Sequence, residues 1–287
     1  MRIVHTIPEM KELSLAAKSS GKTVGFVPTM GYFHEGHLSL VRIARKRAGF
    51  VAVSIFVNPT QFGKGEDYTS YPSDLDRDIK LLEKEGVDAV FTPETGEMYP
   101  AGYDTFVEVE KLAALMCGAS RPGHFRGVTT VVLKLFNIVK PDFAVFGEKD
   151  YQQVAVIKRM VSDLAIDTEI IVGPTVREKD GLAMSSRNIY LAKKEREDAA
   201  ILRASLLEGR KMVSSGVSDA LQIRSAVRRM IETKNTAVVD YVSVVHPESL
   251  DELVTIEDEA IIAVAVKFGK ARLIDNIRVR KGAMIDA

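Results

Sequence analysis

Apolar residues in this chain recur with two periods, and the switching between them marks out the elements. Short, β-branched apolar runs at residues 23–27, 51–56, 87–91, 143–146 and 168–172 lack polar alternation and predict buried parallel strands. Between them, helical spacing predicts helices over 36–48, 73–85, a shorter piece near 111–116, then 126–139 and 151–165. The fourth is the clearest, with Val128, Val131, Val132, Leu135, Phe136 and Val139 falling on one stripe. Regular strand–helix alternation predicts a parallel sheet covered on both faces, with right-handed crossovers. Ligands of such sheets bind beyond the carboxyl ends of the strands.

Past residue 175 the pattern changes. A turn at Asp180-Gly181 suits a tight hairpin. Two helical stretches follow, 193–214 and 218–233, and then three β-rich runs, 237–245, 259–266 and 271–274. The fold class expected is α/β: a Rossmann-like parallel-sheet N-terminal domain over 1–175 and a smaller α+β C-terminal domain over 176–287, divided at Gly173-Pro174-Thr175.

Composition narrows the function. The 287 residues suffice for two buried cores, and 46% hydrophobic with 27% charged residues is ordinary for a globular protein. Lys+Arg and Asp+Glu both number 39, so no global field gathers nucleic acid or an anionic membrane. The basic cluster Arg42, Arg45, Lys46 and Arg47 is expected on a solvated helix face. Residues 1–8 lack the long apolar core expected of a secretory signal, and the longest apolar run, 260–266, is too short to span a bilayer. A cytoplasmic location is the expectation. The single cysteine, Cys117, excludes an intramolecular disulfide or a multi-cysteine metal site, and no flanking base equips it as a nucleophile.

Chemistry concentrates in four segments. Pro28-Thr29-Met30-Gly31-Tyr32-Phe33-His34-Glu35-Gly36-His37 joins the first strand to a helix start. A helix N-terminus attracts phosphate, and Gly36 lets a ligand approach the backbone between two histidines. The plain alternative is that the histidines only cap orphan N–H groups. Val57-Asn58-Pro59-Thr60-Gln61-Phe62-Gly63 follows the second strand and offers neutral amides, suited to a small polar substrate or to a locally bonded turn. In Phe146-Gly147-Glu148-Lys149-Asp150-Tyr151-Gln152-Gln153, Asp150 and Gln153 have capping-box spacing, while Lys149 supplies a compact charge for a phosphoryl group. Ala183-Met184-Ser185-Ser186-Arg187-Asn188 places two hydroxyls and an arginine in a polar loop able to grip phosphate and close over a nucleotide.

In order, wording and spacing these segments resemble the pantothenate synthetase family. That family lies in the His-x-Gly-His nucleotidylyl transferase superfamily, which includes class I aminoacyl-tRNA synthetases. The likeness extends to Thr69-Ser70-Tyr71-Pro72 and to residues 121–127, and no motif position departs from it. The resemblance implies ATP-dependent condensation of (R)-pantoate with β-alanine through pantoyl adenylate, releasing AMP and pyrophosphate. It implies His34 and His37 on the ATP phosphates, with His37 the proton donor, and Lys149 beside them. It assigns ATP further to Met30, Gly31, Tyr32, Phe33, Glu35, Gly36, Gly147, Glu148, Asp150, Val176, Met184, Ser185, Ser186 and Arg187. Pantoate falls to Gln61 and Gln153, and β-alanine to Gln61 and Asn58. Mg²⁺ would accompany ATP without dedicated protein ligands. A homodimer is implied, without nucleic-acid or membrane partners. His124 is expected in a loop near the site, and His5 and His246 are expected to be structural. The competing readings are an adenylyltransferase acting on a phosphate acceptor and a non-catalytic nucleotide-binding regulator.

Overall fold

A computed structural model describes residues 1–282, so the last five positions expected in the second domain, 283–287, lie outside the described residues. The chain divides into two compact units. One comprises Met1–Ala114, Arg121–Glu148 and Gln153–Pro174; the other takes Leu115–Ser120, Lys149–Gln152 and the chain from Thr175 onward.

The first unit begins with β1 (Arg2–Val4) and α1 (Ile7–Ser19), followed by β2 (Val24–Thr29), α2 (Glu35–Arg47) and β3 (Phe50–Ile55). Next come α3 (Leu75–Lys84), β4 (Ala89–Phe91) and two single-turn helices, α4 (Thr95–Met98) and α5 (Glu110–Ala113). After α6 (Met116–Ser120), which belongs to the second unit, the chain continues through α7 (His124–Val139), β5 (Phe143–Gly147), α8 (Tyr151–Asp163) and β6 (Glu169–Gly173). All strand pairs are parallel, in the order β1-β4-β3-β2-β5-β6. The order reverses direction at β2, which puts the topological switch point beside that strand's carboxyl end. Val27, Val51, Val53, Val90 and Val145 from the sheet pack with Phe33, Val41, Ala44 and Leu82 in one buried cluster. Several helices start where a polar side chain supplies the missing acceptor, or reaches back to the N-cap N–H. Thr6 and Glu9 form a capping box on α1, and Asp74 accepts from Arg77 N at 3.1 Å on α3.

Several expectations are corrected. β1, α1 and α4 were not anticipated. The piece near 111–116 is two short helices rather than one. The basic face of α2 is solvated, as expected, and its arginines are also ion-paired: Arg42 bonds Glu35 and Glu85, Arg45 meets Asp88 at 2.6 Å, and Arg47 lies 3.6 Å from Glu169.

The second unit contains α9 (Lys193–Ala199), α10 (Ile201–Ser214), α11 (Ala220–Glu232) and the strands β7 (Ala237–Val245), β8 (Glu259–Phe268) and β9 (Ala271–Arg280). The strands form an antiparallel sheet, β7-β8-β9, with an irregularity between Val239 and Tyr241. Leu202, Leu206, Ile223, Val227 and Ile231 pack with Val242, Val244, Ile262, Val264 and Val266. The expected helix over 193–214 is broken at Ala200. The third strand outruns its expected end because Asp275 and Asn276 are buried polar residues that interrupt its apolar pattern. Asp275 is held by both terminal nitrogens of Arg177 at 2.7 and 2.9 Å, and Asn276 donates to the Lys149 carbonyl at 3.0 Å. Cys117 is buried in α6, its Sγ 3.2 Å from the Tyr241 hydroxyl and 3.5 Å from both Arg272 terminal nitrogens. Asp240 in turn fixes Arg272 at 2.7 Å. Burial, then the thiol beside it, pushes the Tyr241 hydroxyl well above its ordinary value. No described helix is long and apolar enough to cross a membrane.

Candidate active site

The carboxyl end of β2 runs into a turn that the sequence shapes closely. Thr29 Oγ1 donates to the Ser54 carbonyl at 2.7 Å and accepts from Gly31 N at 3.2 Å. Gly31 has φ +83°, and a Cβ there would meet Ile55 Cγ2 at 2.9 Å and an Asp78 oxygen at 3.0 Å, so only glycine fits. Tyr32 also has a positive φ, 53°, which is costly for a side-chain-bearing residue. His34 is the N-cap of α2, with its Nδ1 accepting from Gly36 N at 3.1 Å. His37 Nδ1 accepts in return from His34 N at 3.4 Å, and the ring centroids are 4.1 Å apart. The two histidines therefore form a reciprocal capping box, and capping and ligand binding do not compete. In each neutral ring an accepting Nδ1 puts the proton on Nε2, as the hydrogen-bond geometry assigns it. Two imidazole N–H donors are thus held at a helix N-terminus that itself favours anions. Fully buried Phe33 supports the His37 ring edge-on at 5.4 Å. Glu35 pairs with Arg42 on the first turn, and Gly36 provides the N–H that His34 accepts.

The amide loop lies on the same unit. Asn58 caps a 3₁₀ turn, Pro59–Gln61, and is almost wholly buried. Its Oδ1 accepts from the Thr60 and Tyr99 hydroxyls at 3.0 and 2.8 Å, and its Nδ2 donates to Gln61 Oε1 and to the Gly127 carbonyl, both at 3.1 Å. Gln61 Nε2 donates to Met30 Sδ at 3.1 Å, which links the loop to the turn after β2. At Gly127 a Cβ would fall 2.3 Å from the Thr60 carbonyl oxygen, so glycine is what lets α7 approach the loop. His124 opens α7 rather than sitting in a loop. Its Nδ1 lies 2.8 Å from the Gln61 carbonyl, and its Nε2 lies 3.1 Å from Arg121 Nη1. Loop and helix start line a cavity of about 160 Å³ with Gln61, Phe62, Phe106, His124 and Arg126.

Sequence reading missed Asp78, Tyr99 and Glu66, and the roles of Arg121 and Gly127 within the matching segment 121–127. Tyr99 is pushed up to about 12 by burial, so its hydroxyl stays a donor to Asn58. Burial would raise the Glu66 carboxyl, but hydrogen bonds and charge from Arg121, with the Gly63 N–H, outweigh it and hold the group at about 2. An acid held low in the folded state stabilises above its unfolded value and loses that contribution as pH falls through its folded one. Glu66→Gln is therefore expected to destabilise the fold at neutral pH, with the difference from wild type shrinking below pH 4.5 and vanishing near 2. Denaturant unfolding at stepped pH measures this; a difference independent of pH would refute it.

On the second unit, Met184 N donates to the Val176 carbonyl at 3.0 Å, and Arg177 bridges to Ala183 as a short antiparallel pair. Ser185 caps a 3₁₀ turn, Ser186–Tyr190, with Oγ accepting from Arg187 N at 3.3 Å. Lys149 and Asp150 lie in another 3₁₀ turn, Glu148–Asp150, that follows Gly147 at the end of β5, and Lys149 Nζ stands 3.7 Å from Asp150. Gln153 lies in the first turn of α8 on the first unit. Among the described residues, no group of three or more His, Cys, Asp or Glu is placed to hold a metal ion.

A parallel sheet whose switch-point strand ends in an imidazole-capped helix, beside a neutral amide loop, has the architecture of an α/β enzyme with its site at the carboxyl edge of the sheet. The sequence pattern of the pantoate-beta-alanine ligase family matches residues 2–278, and the chain belongs to that family. It is 54% identical over 279 residues to a pantothenate synthetase of Acetivibrio thermocellus, covering 97% of this chain and 99% of that one. A crystal structure of pantothenate synthetase from Thermus thermophilus superposes with TM-score 0.91 at 48% identity, covering 96% of this chain and 99% of that one. The pantoate-beta-alanine ligase of Francisella tularensis, complexed with beta-gamma ATP and β-alanine, superposes with TM-score 0.80 at 37% identity, over 96% and 97% of the two chains.

Proposed function

We infer that this chain condenses (R)-pantoate with β-alanine at the expense of ATP, by way of pantoyl adenylate. The observation that carries this reading is the reciprocally capped His34–His37 pair at the start of α2, preceded in the same turn by Met30, whose Sδ accepts from the uncharged Gln61 amide. A pantoate carboxylate oxygen attacks the α-phosphorus of ATP, and the bond to the β-phosphate oxygen breaks. His34 and His37 would hold the phosphates, with His37 giving a proton to the departing pyrophosphate. The β-alanine amine then attacks the activated carbonyl, loses a proton, and expels AMP. Neither step requires a protein nucleophile; alignment and charge stabilisation suffice.

Gln61 is proposed to orient pantoate and β-alanine, and Gln153 pantoate. Asn58 has its own amide committed to Thr60, Tyr99 and Gly127, so its contribution is to fix Gln61. Residue types and the family likeness support Lys149, Ser185, Ser186 and Arg187 as phosphate ligands and Asp150 for the ribose. Met30, Gly147, Val176 and Met184 are proposed to shape the nucleotide pocket, with backbone of 31–36 and Glu148 contributing. The proposed division of labour is a catalytic part over 1–175 and a second part over 176–287 that carries the Met-Ser-Ser-Arg-Asn loop. Mg²⁺ would enter with ATP, bound chiefly through its phosphate oxygens. A homodimer in the cytoplasm completes the proposal.

A phosphate-acceptor adenylyltransferase needs cations around its acceptor, whereas Asn58 and Gln61 are neutral, Arg121 beside them is matched by Glu66 at 2.5 Å, and Arg126 is stacked over the Phe106 ring at 4.0 Å. The decisive assay follows two products. Pyrophosphate is expected with ATP plus pantoate alone, and AMP only after β-alanine is added. Pyrophosphate release that ignores pantoate, or no release at all, would reject the reading.

A further inference from the structure

The turn that carries the histidines does not hold itself. Gly31 and Tyr32 occupy consecutive positive-φ conformations, and their N–H and C=O groups have left the β2 ladder. Two neighbouring residues of α3 meet this turn with opposite chemistry. Asp78, 1% exposed, accepts from Tyr32 N at 2.5 Å with one oxygen and from Phe33 N at 2.8 Å with the other. Arg77 donates from Nη2 to the Phe33 carbonyl at 2.8 Å, and its guanidinium lies 5.1 Å from the Tyr32 ring centre. The peptide groups just before the His34 N-cap are therefore gripped on both their donor and acceptor sides by a single helix turn.

We infer that Asp78 and Arg77 are positioning residues for adenylation, a clasp that fixes the entry angle of α2 and hence the aim of the His34 and His37 rings. The inference rests on the functional reading above and adds a specific source for the precision that reading needs. Both residues act on backbone groups of Tyr32 and Phe33, and neither is assigned a substrate contact. A hydrophobic side chain at 78 would satisfy packing against the core more cheaply, since burial pushes the Asp78 carboxyl above its ordinary value despite the Phe33 and Tyr32 N–H groups. A buried acid whose two oxygens are both spent on one turn is there to order that turn. With the clasp opened, Tyr32 is free to leave its strained conformation, and the N-cap moves with it.

Asp78→Asn keeps the side-chain volume but leaves one of the two N–H groups facing a donor. Single-turnover formation of pantoyl adenylate is expected to fall roughly tenfold or more. Conversion of supplied pantoyl adenylate with β-alanine is expected to stay within about twofold of wild type. In the same variant, with ¹⁵N-labelled histidine, the ring resonances of His34 and His37 are expected to shift while those of His246 do not. Arg77→Met opens only the carbonyl side; it is expected to show a smaller loss confined to the same half-reaction, and it decides the matter should Asp78→Asn fail to fold. Equal losses in both half-reactions, or unmoved His34 and His37 resonances, would overturn the clasp. If wild type itself makes no pantoyl adenylate, the functional reading fails instead, and the ring resonances alone judge the clasp.

Discussion

Replacing His37 with alanine is expected to slow pantoyl-adenylate formation by roughly 10²-fold or more, the scale of a lost general acid or charge-stabilising donor. Two effects combine at this position. The Nε2–H aimed by the capping arrangement disappears, and His34 N loses the Nδ1 that accepts it at 3.4 Å. The second loss loosens the neighbouring imidazole, so the effect exceeds that of removing one exposed donor. Rapid-quench measurement of pyrophosphate in a single turnover reads it directly. An adenylation rate near wild type would remove His37 from the chemistry. The step with β-alanine serves as an internal control, because no group at His37 is assigned to it.

The second large effect is expected at a residue with no side chain. In Gly127→Ala the new Cβ would lie 2.3 Å from the Thr60 carbonyl oxygen and 2.6 Å from Gln61 N, both backbone atoms that a rotamer change does not relieve. The loop must move away from α7. Overpacking of this kind costs about 1–3 kcal/mol of stability. The functional cost should be larger in consequence, since Asn58 loses its bond to the Gly127 carbonyl and ceases to hold Gln61. Pantoate affinity is expected to fall by roughly tenfold or more, the scale of a misplacement near an ångström, with ATP affinity changed little. Calorimetric titration of both ligands tests this, and an unchanged pantoate affinity would show that the loop is not set by its contact with α7.

Much of this architecture was legible because burial writes itself as pattern. The five long-recognised strands of the parallel sheet are short apolar runs, and each main helix between them carries an apolar stripe. The misses have physical causes. β1 has only Ile3 and Val4 to mark it, and α1 buries Met10, Ser14 and Ala17, a stripe too small and too polar to stand out. β9 was cut short because Asp275 and Asn276 look like a turn until Arg177 and the Lys149 carbonyl are seen to satisfy them. The histidine turn was legible as a motif, whereas its support was not. Asp78 is an acid on the buried face of α3, one turn before Leu82, and that misfit was the only local signal of its role. Gly127 sits inside the clearest helical stripe of the chain, where glycine is unfavourable unless something passes close by. Glu66 and Arg121 are 55 residues apart, and nothing in either segment announces their pairing.

The burial of Cys117 beside Arg272 and Tyr241 makes the chain its own reporter. With one sulfhydryl in the whole sequence, a colorimetric thiol reagent can label a single place, and only after α6 and β7 separate around it. Labelling speed then clocks the breathing of that region without any engineered probe, in the presence or absence of nucleotide.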